Sequence, residues 1–177
     1  MNWEFIATLA EVVAAIGVIA SLIYVARQVR SSQETAADTN RLARAGGVRE
    51  IMLANATNDD LRNSVIKAYG MAPYYEEMAR VLDIAFDDAA RADFQNNIYF
   101  WLHWGQFAST TDPHDLEELK NVLHSYSIPG LKYSWENSPF AKPALDPKFV
   151  NFVDAAIAEV SDEYFADLAS RGVQVNT

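Results

Sequence analysis

The sequence predicts an all-α fold: an N-terminal transmembrane helix that continues into a stalk and is followed by a small helical bundle. Three observations carry that expectation. Residues Phe5 to Ala26 form an apolar run with one charge, Glu11, closed by Arg27 and Arg30. Five of the six prolines fall between Pro113 and Pro147, so the first 110 residues are nearly free of helix breakers. No β-hairpin signal, internal repeat or low-complexity tract occurs. The expected division is an anchor over 1–30, a stalk over 31–56 and a helical domain over 57–177.

The apolar run sets the rest. At about 1.5 Å per helical residue it extends roughly 33 Å, enough to cross a hydrocarbon core of about 30 Å. A cleaved signal peptide would place its positive charges before the run, whereas here the start is Asn2-Trp3-Glu4 and the arginines follow it. A buried helix of a soluble bundle is the competing reading, because Glu11 and several alanines dilute the hydrophobicity. Trp3 at one end and Tyr24 near the other stand where interfacial anchors belong, with Arg27 and Arg30 as the basic flank. That flank puts the arginine end on the cytoplasmic side of a membrane, with the short N-terminus outside and the bulk of the chain, including the helical domain, on the inner side.

Within the run, Ala10, Ala14, Gly17 and Ser21 recur at spacings of four, three and four. Such a seam of small residues lets two helix backbones approach closely in lipid. It points to a protein partner or a second copy of the chain. Glu11 flanks the seam; it either reaches toward the interface, meets a partner helix or lies on an ion path.

Charge is unevenly distributed along the chain. Five arginines (27, 30, 41, 44, 49) face only Glu34 and Asp38 in the stalk, whereas from Glu50 onward nine Lys and Arg face twenty Asp and Glu. An acidic body of this kind argues against nucleic acid as a partner. With no cysteine there is no disulfide, thiolate metal site or cysteine nucleophile.

Helical residues continue from Arg27 to Ala45, and Gly46-Gly47 is a possible end or kink. Thr57-Asn58-Asp59-Asp60 is a cap-rich entry to a second helix, stopped at Gly70 to Pro73. A long third helix is expected from about Tyr75 to Ala108, with a polar lapse at Ala90 to Asp93. Asp112-Pro113 opens a fourth, Ser127 to Pro147 reads as irregular, and Asp146-Pro147 caps a last helix running to about Ala169.

Chemistry is sparse. No two histidines stand at helical metal-binding spacing, and neither phosphate-cradling glycine loops nor nucleophile elbows occur, so no catalytic residue, metal or cofactor is assigned. His114 belongs to a helix start and His124 to a helix end. The acid pairs Glu34/Asp38 and Asp83/Asp87 read as solvated surface, and Asp87 with Arg91 as a surface ion pair. The aromatic run around Trp101, His103 and Trp104, together with Trp135, is the one combination that could line a ligand pocket.

Asn2-Trp3-Glu4, Ala10-Glu11 and the stretch Ser21-Leu22-Ile23-Tyr24 with Gln28 and Arg30 resemble an uncharacterised family of bacterial membrane-anchored proteins. Trp135-Glu136 and the segment from Asp146-Pro147 to Asp154 extend the resemblance. It implies an N-terminal membrane helix with a helical domain on the cytoplasmic side, and no activity. The expected role is an accessory subunit, scaffold or sensor that binds other proteins; an enzyme or ligand-binding domain using the aromatic and histidine pocket is the alternative.

Overall fold

The computed structural model describes residues 3–170, apart from the side chains of residues 4, 5, 8, 10, 12, 162, 163, 167 and 168. Among them are eight α-helices and no strand. The chain divides into two compact units between Asn40 and Arg41.

Helix α1 runs without interruption from Trp3 to Thr57 and so contributes to both units. Gly46 and Gly47 neither end nor kink it, in contrast to the reading that allowed either; the helix hydrogen bonding carries the pair through despite its conformational freedom. In the polar stretch before Asn40 the threonine hydroxyls bond back along their own helix without breaking it. Thr35 donates to the Ser31 carbonyl at 3.0 Å and Thr39 to the Thr35 carbonyl at 2.8 Å. From Ala45 onward α1 carries buried residues, Ala45, Met52 and Ala56. The unit boundary therefore falls within the expected stalk, and residues 41–56 of that stalk belong to the second unit.

Helix α2, Asp59–Tyr69, begins as its sequence indicates: the Asn58 side chain accepts the Leu61 N–H at 3.0 Å. It ends at Gly70 with φ +65°, and the Met71 N–H reaches back to the Ile66 carbonyl at 2.9 Å. Pro73 does not belong to that stop. It stands in the first turn of α3, Ala72–Leu82, where a missing N–H costs nothing.

The long third helix of the sequence reading is two helices. Asp83 adopts a left-handed conformation, φ 54° and ψ 49°, ends α3, and lets α4 start afresh over Phe86–Ser109. Periodicity continues through this break, which is why the sequence hid it. A Cβ in this conformation costs about 1 kcal/mol, so Asp83→Gly should raise the unfolding free energy by about that amount. A denaturant titration reads it; an unchanged or lower midpoint would contradict the strain.

Helix α4 is the centre of the second unit and packs against α3, α5, α6 and α7. Helix α5, Pro113–Leu123, is capped by Asp112, whose carboxylate accepts the His114 N–H at 2.8 Å. The segment expected to be irregular holds a further helix, α6, Pro129–Asn137, with Pro129 again in the first turn. The last expected helix is likewise two, α7 over Pro147–Ala158 and α8 over Asp162–Ser170. Two apolar clusters fill the bundle. One gathers Phe100, Tyr126, Trp135, Phe149 and Val153; the other Met52, Ile66, Met71, Tyr75 and Phe94; Val48 packs against both.

Candidate functional site

Two features stand out chemically, one in each unit. In the first, the described side chains of the apolar segment of α1 are exposed. Twelve of the large apolar side chains between Trp3 and Val29 are exposed, among them Val13, Ile16, Val18, Ile19, Leu22 and Ile23, and they point in all directions around the helix. The most apolar part of α1 has a mean hydropathy of 1.5 and none of it is buried. An exposed apolar helix of this kind suits an apolar medium or partner.

The residues singled out for this segment are placed as follows. Trp3 and Tyr24 are exposed, as are Glu11, Ala14, Gly17, Ser21, Arg27 and Arg30; the Ala10 side chain lies outside the described residues. A Cβ built on Gly17 meets no atom within 4 Å, so nothing in this chain requires a glycine there. Arg30 Nε lies 3.3 Å from Glu34 Oε1, an exposed pair one helical turn apart.

In the second unit the structure gathers a buried polar cluster that sequence reasoning missed. Asp93 is fully buried on α4. Its Oδ1 accepts the Tyr74 hydroxyl at 2.8 Å, and its Oδ2 accepts Ser138 Oγ at 3.2 Å and the Tyr75 hydroxyl at 3.4 Å. Asn97, one turn on, donates to the Asp93 carbonyl at 2.8 Å and to Ser138 Oγ at 3.2 Å. The cluster therefore ties α3 to α4 and to the end of α6. Burial pushes the Asp93 carboxyl up to about 6, against the hydroxyls of Tyr74, Ser134, Ser138 and Tyr75, which favour the ionised form. Burial first, and then the Asp93 charge, raises both tyrosines above their ordinary value. With its carboxyl sealed from solvent, the cluster fastens helices.

Nearby, the buried Arg62 guanidinium donates to the Asn55 carbonyl at 3.2 Å and to Asp59 Oδ1 at 2.8 Å. Arg91 reaches the same Asp59 oxygen at 3.3 Å and Asp88 at 3.7 Å, so its recorded ion pairs are with these two and not with Asp87. The two guanidiniums hold the Asp59 carboxyl below its usual range.

Trp101, His103, Trp104 and Trp135 are all buried, and their rings lie in packed aromatic contact. Trp135 meets Phe100 at 5.2 Å, Tyr126 at 5.6 Å and Phe149 at 6.0 Å between centroids, and Trp101 meets Trp104 at 5.5 Å. His103 Nδ1 pairs with the Tyr126 hydroxyl at 2.8 Å, and burial lowers its pKa to about 4, so the ring is neutral at physiological pH. The four therefore build core, and Trp104 also borders a cleft toward α5 and α7. His114 is exposed and 3.3 Å from Glu118, and the His124 ring lies edge-on to Tyr164 at 6.2 Å. Among the described residues no group of three or more His, Asp or Glu converges to hold a metal.

No family model matches the chain, and neither the curated proteins nor the solved structures hold a match to it.

Proposed function

We propose that this chain is a single-pass membrane protein. The segment Phe5–Ala26 is its anchor, the arginine-flanked end faces the cytoplasm of a bacterial cell, and the helical domain beyond binds other proteins as an accessory subunit, scaffold or sensor. The observation that carries the reading is the uncovered apolar length of α1. At about 1.5–3 kcal/mol for each large apolar side chain, leaving twelve in water costs on the order of 20 kcal/mol or more. An apolar surrounding would recover that free energy, which favours one for this segment. Lipid supplies one over the right length, and the arginines that follow suit the membrane surface.

Carbonate extraction of membranes tests the anchor: the chain should stay with the pellet, and release into the supernatant would exclude an integral span. Orientation can be read with single cysteines, because the chain has none of its own. A cysteine at the exposed Tyr69 should resist an impermeant maleimide in intact cells and react after lysis; reaction in intact cells would reverse the topology. In the same reading, the seam of Ala10, Ala14, Gly17 and Ser21 joins the helix to a second copy or to a larger complex. Gly17→Leu fits the isolated helix without a clash, so a loss of cross-linking in that variant reports the partner contact itself.

A further inference from the structure

Gly46 and Gly47 stand in the interior of α1, yet nothing in the packing calls for glycine there. A Cβ built on either meets no atom within 4 Å. Alanine at each position would favour the helix about fivefold. The pair therefore weakens α1 at one point, and no close contact compensates. Gly47 is exposed, so water reaches the backbone at that point.

The two sides of the pair are held unequally. Beyond it, Met52, Asn55 and Ala56 are buried and Val48 packs against both apolar clusters. Before it, the apolar hold on the turn 41–45 is Ala45, 4 % exposed, and Leu42, 49 % exposed. Arg41, Ala43 and Arg44 are exposed, and Arg41 holds an interaction as well. One methyl group and part of a leucine bury less apolar surface than the side chains beyond the pair.

This lightly held turn covers a defined part of α4. A Cβ on Gly105 would lie 3.5 Å from Ala45 Cβ and 3.6 Å from Leu42 Cδ2, so a residue larger than alanine there would push the turn away. Trp101 and Trp104, one turn and one residue before Gly105, belong to the same apolar cluster as Ala45. Trp104 also lines a cleft together with Arg41.

We propose that Gly46-Gly47 is a joint in α1, at which the turn 41–45 lifts off α4 and uncovers the face of Trp101, Trp104 and Gly105. The helix then has two settings, docked and lifted, and whatever bends α1 at the pair selects the second. The unbroken helix through the pair is the docked setting. The joint stands independently of whether α1 spans a membrane.

Thiol labelling of the full chain in a neutral detergent tests the joint, because the chain has no cysteine of its own. Ala45→Cys reports the turn, and Ala156→Cys, at a fully buried position of α7, reports opening of the bundle. Under native conditions methyl methanethiosulfonate should modify the first at least about tenfold faster than the second. Adding Gly46→Ala and Gly47→Ala should slow labelling of Ala45→Cys about twentyfold, the product of the two helix preferences. Hydrogen exchange on the chain without substitutions gives a second reading. The amides of residues 48–51, whose helix bonds span the pair, should exchange at least about tenfold faster than those of residues 53–56. Equal rates for the two buried thiols, indifference of Ala45→Cys to the alanine pair, or even protection from residue 48 to residue 56 would each overturn the joint. The exchange measurement keeps the test decisive even if a cysteine at position 45 disturbs the packing.

Discussion

Trp135→Ala should be the most damaging single truncation in the bundle, lowering the unfolding free energy by about 3–5 kcal/mol. The indole is fully buried and shares edge or tilted contacts with Phe100, Tyr126 and Phe149, rings contributed by α4, the turn after α5, and α7. Its removal leaves a cavity that three other aromatic rings border, and large rings collapse poorly into such a space. A polar part adds to this. Trp135 Nε1 donates to Asp154 Oδ1 at 2.8 Å, and Lys142 Nζ lies 2.8 Å from the same oxygen and 5.6 Å from the indole centroid. Asp154 keeps Lys142 after the truncation, so the cavity dominates the loss. Asp154→Asn isolates the polar share and should cost only about 1–2 kcal/mol. Denaturant titrations of the two variants separate the contributions. A loss below about 1 kcal/mol for Trp135→Ala would remove the indole from its central place in the packing.

The second large effect is a pH dependence that the native chain conceals. Asp93 has a folded pKa raised from 3.8 to about 6, so the folded state binds more protons than the unfolded state between those values. Its contribution is fully present below about 4 and is lost as pH rises through 6. His103 has a folded pKa lowered from 6.5 to about 4, so its contribution is present above 6.5 and is lost as pH falls through 4. The two act over almost the same window with opposite sign. Each amounts to on the order of 3 kcal/mol, somewhat less for His103, which keeps an exposed edge. Asp93→Asn should therefore leave a chain that loses stability steeply between pH 6.5 and pH 4. His103→Gln, which can still meet the Tyr126 hydroxyl, should leave one that gains stability over the same interval. Asp59 and Glu77, whose carboxyls are lowered by Arg62 and by Arg80 respectively, are present in both variants, so differences from the native curve isolate the two buried groups. Parallel curves for all three proteins would refute the opposed titrations.

The Asp93 cluster also marks where the sequence stopped being readable. Ala90 to Asp93 looks like a polar lapse in an apolar stripe. In the structure Ala89, Ala90, Asp93, Phe94, Asn97, Phe100, Trp101 and Trp104 are all buried, at spacings of three and four. Asp93 and Asn97 were at core positions all along. Their signal was the register itself, which a reading by hydrophobicity passes over because it assumes that buried means apolar. The hydroxyls that make the burial affordable come from Tyr74, Tyr75 and Ser138, at sequence separations of 18 to 45 residues. No local pattern links them.

What the sequence determined by itself was what depends on neighbours within a turn or two. The all-helical class, the caps at Asn58, Asp112 and Asp146, the stop at Gly70 and the uninterrupted apolar run of α1 all follow from local propensity, capping and periodicity. Tertiary structure decided the rest. It broke the long third helix at Asp83, where a left-handed residue without glycine leaves the apolar period intact, and it turned the proline-rich stretch after Ser127 into α6. It made core of Trp101, His103 and Trp135, and it brought Arg41 and Lys148, more than a hundred residues apart, to the rim of one cleft. Burial and long-range pairing depend on which helices meet, and that is decided by packing over the whole chain.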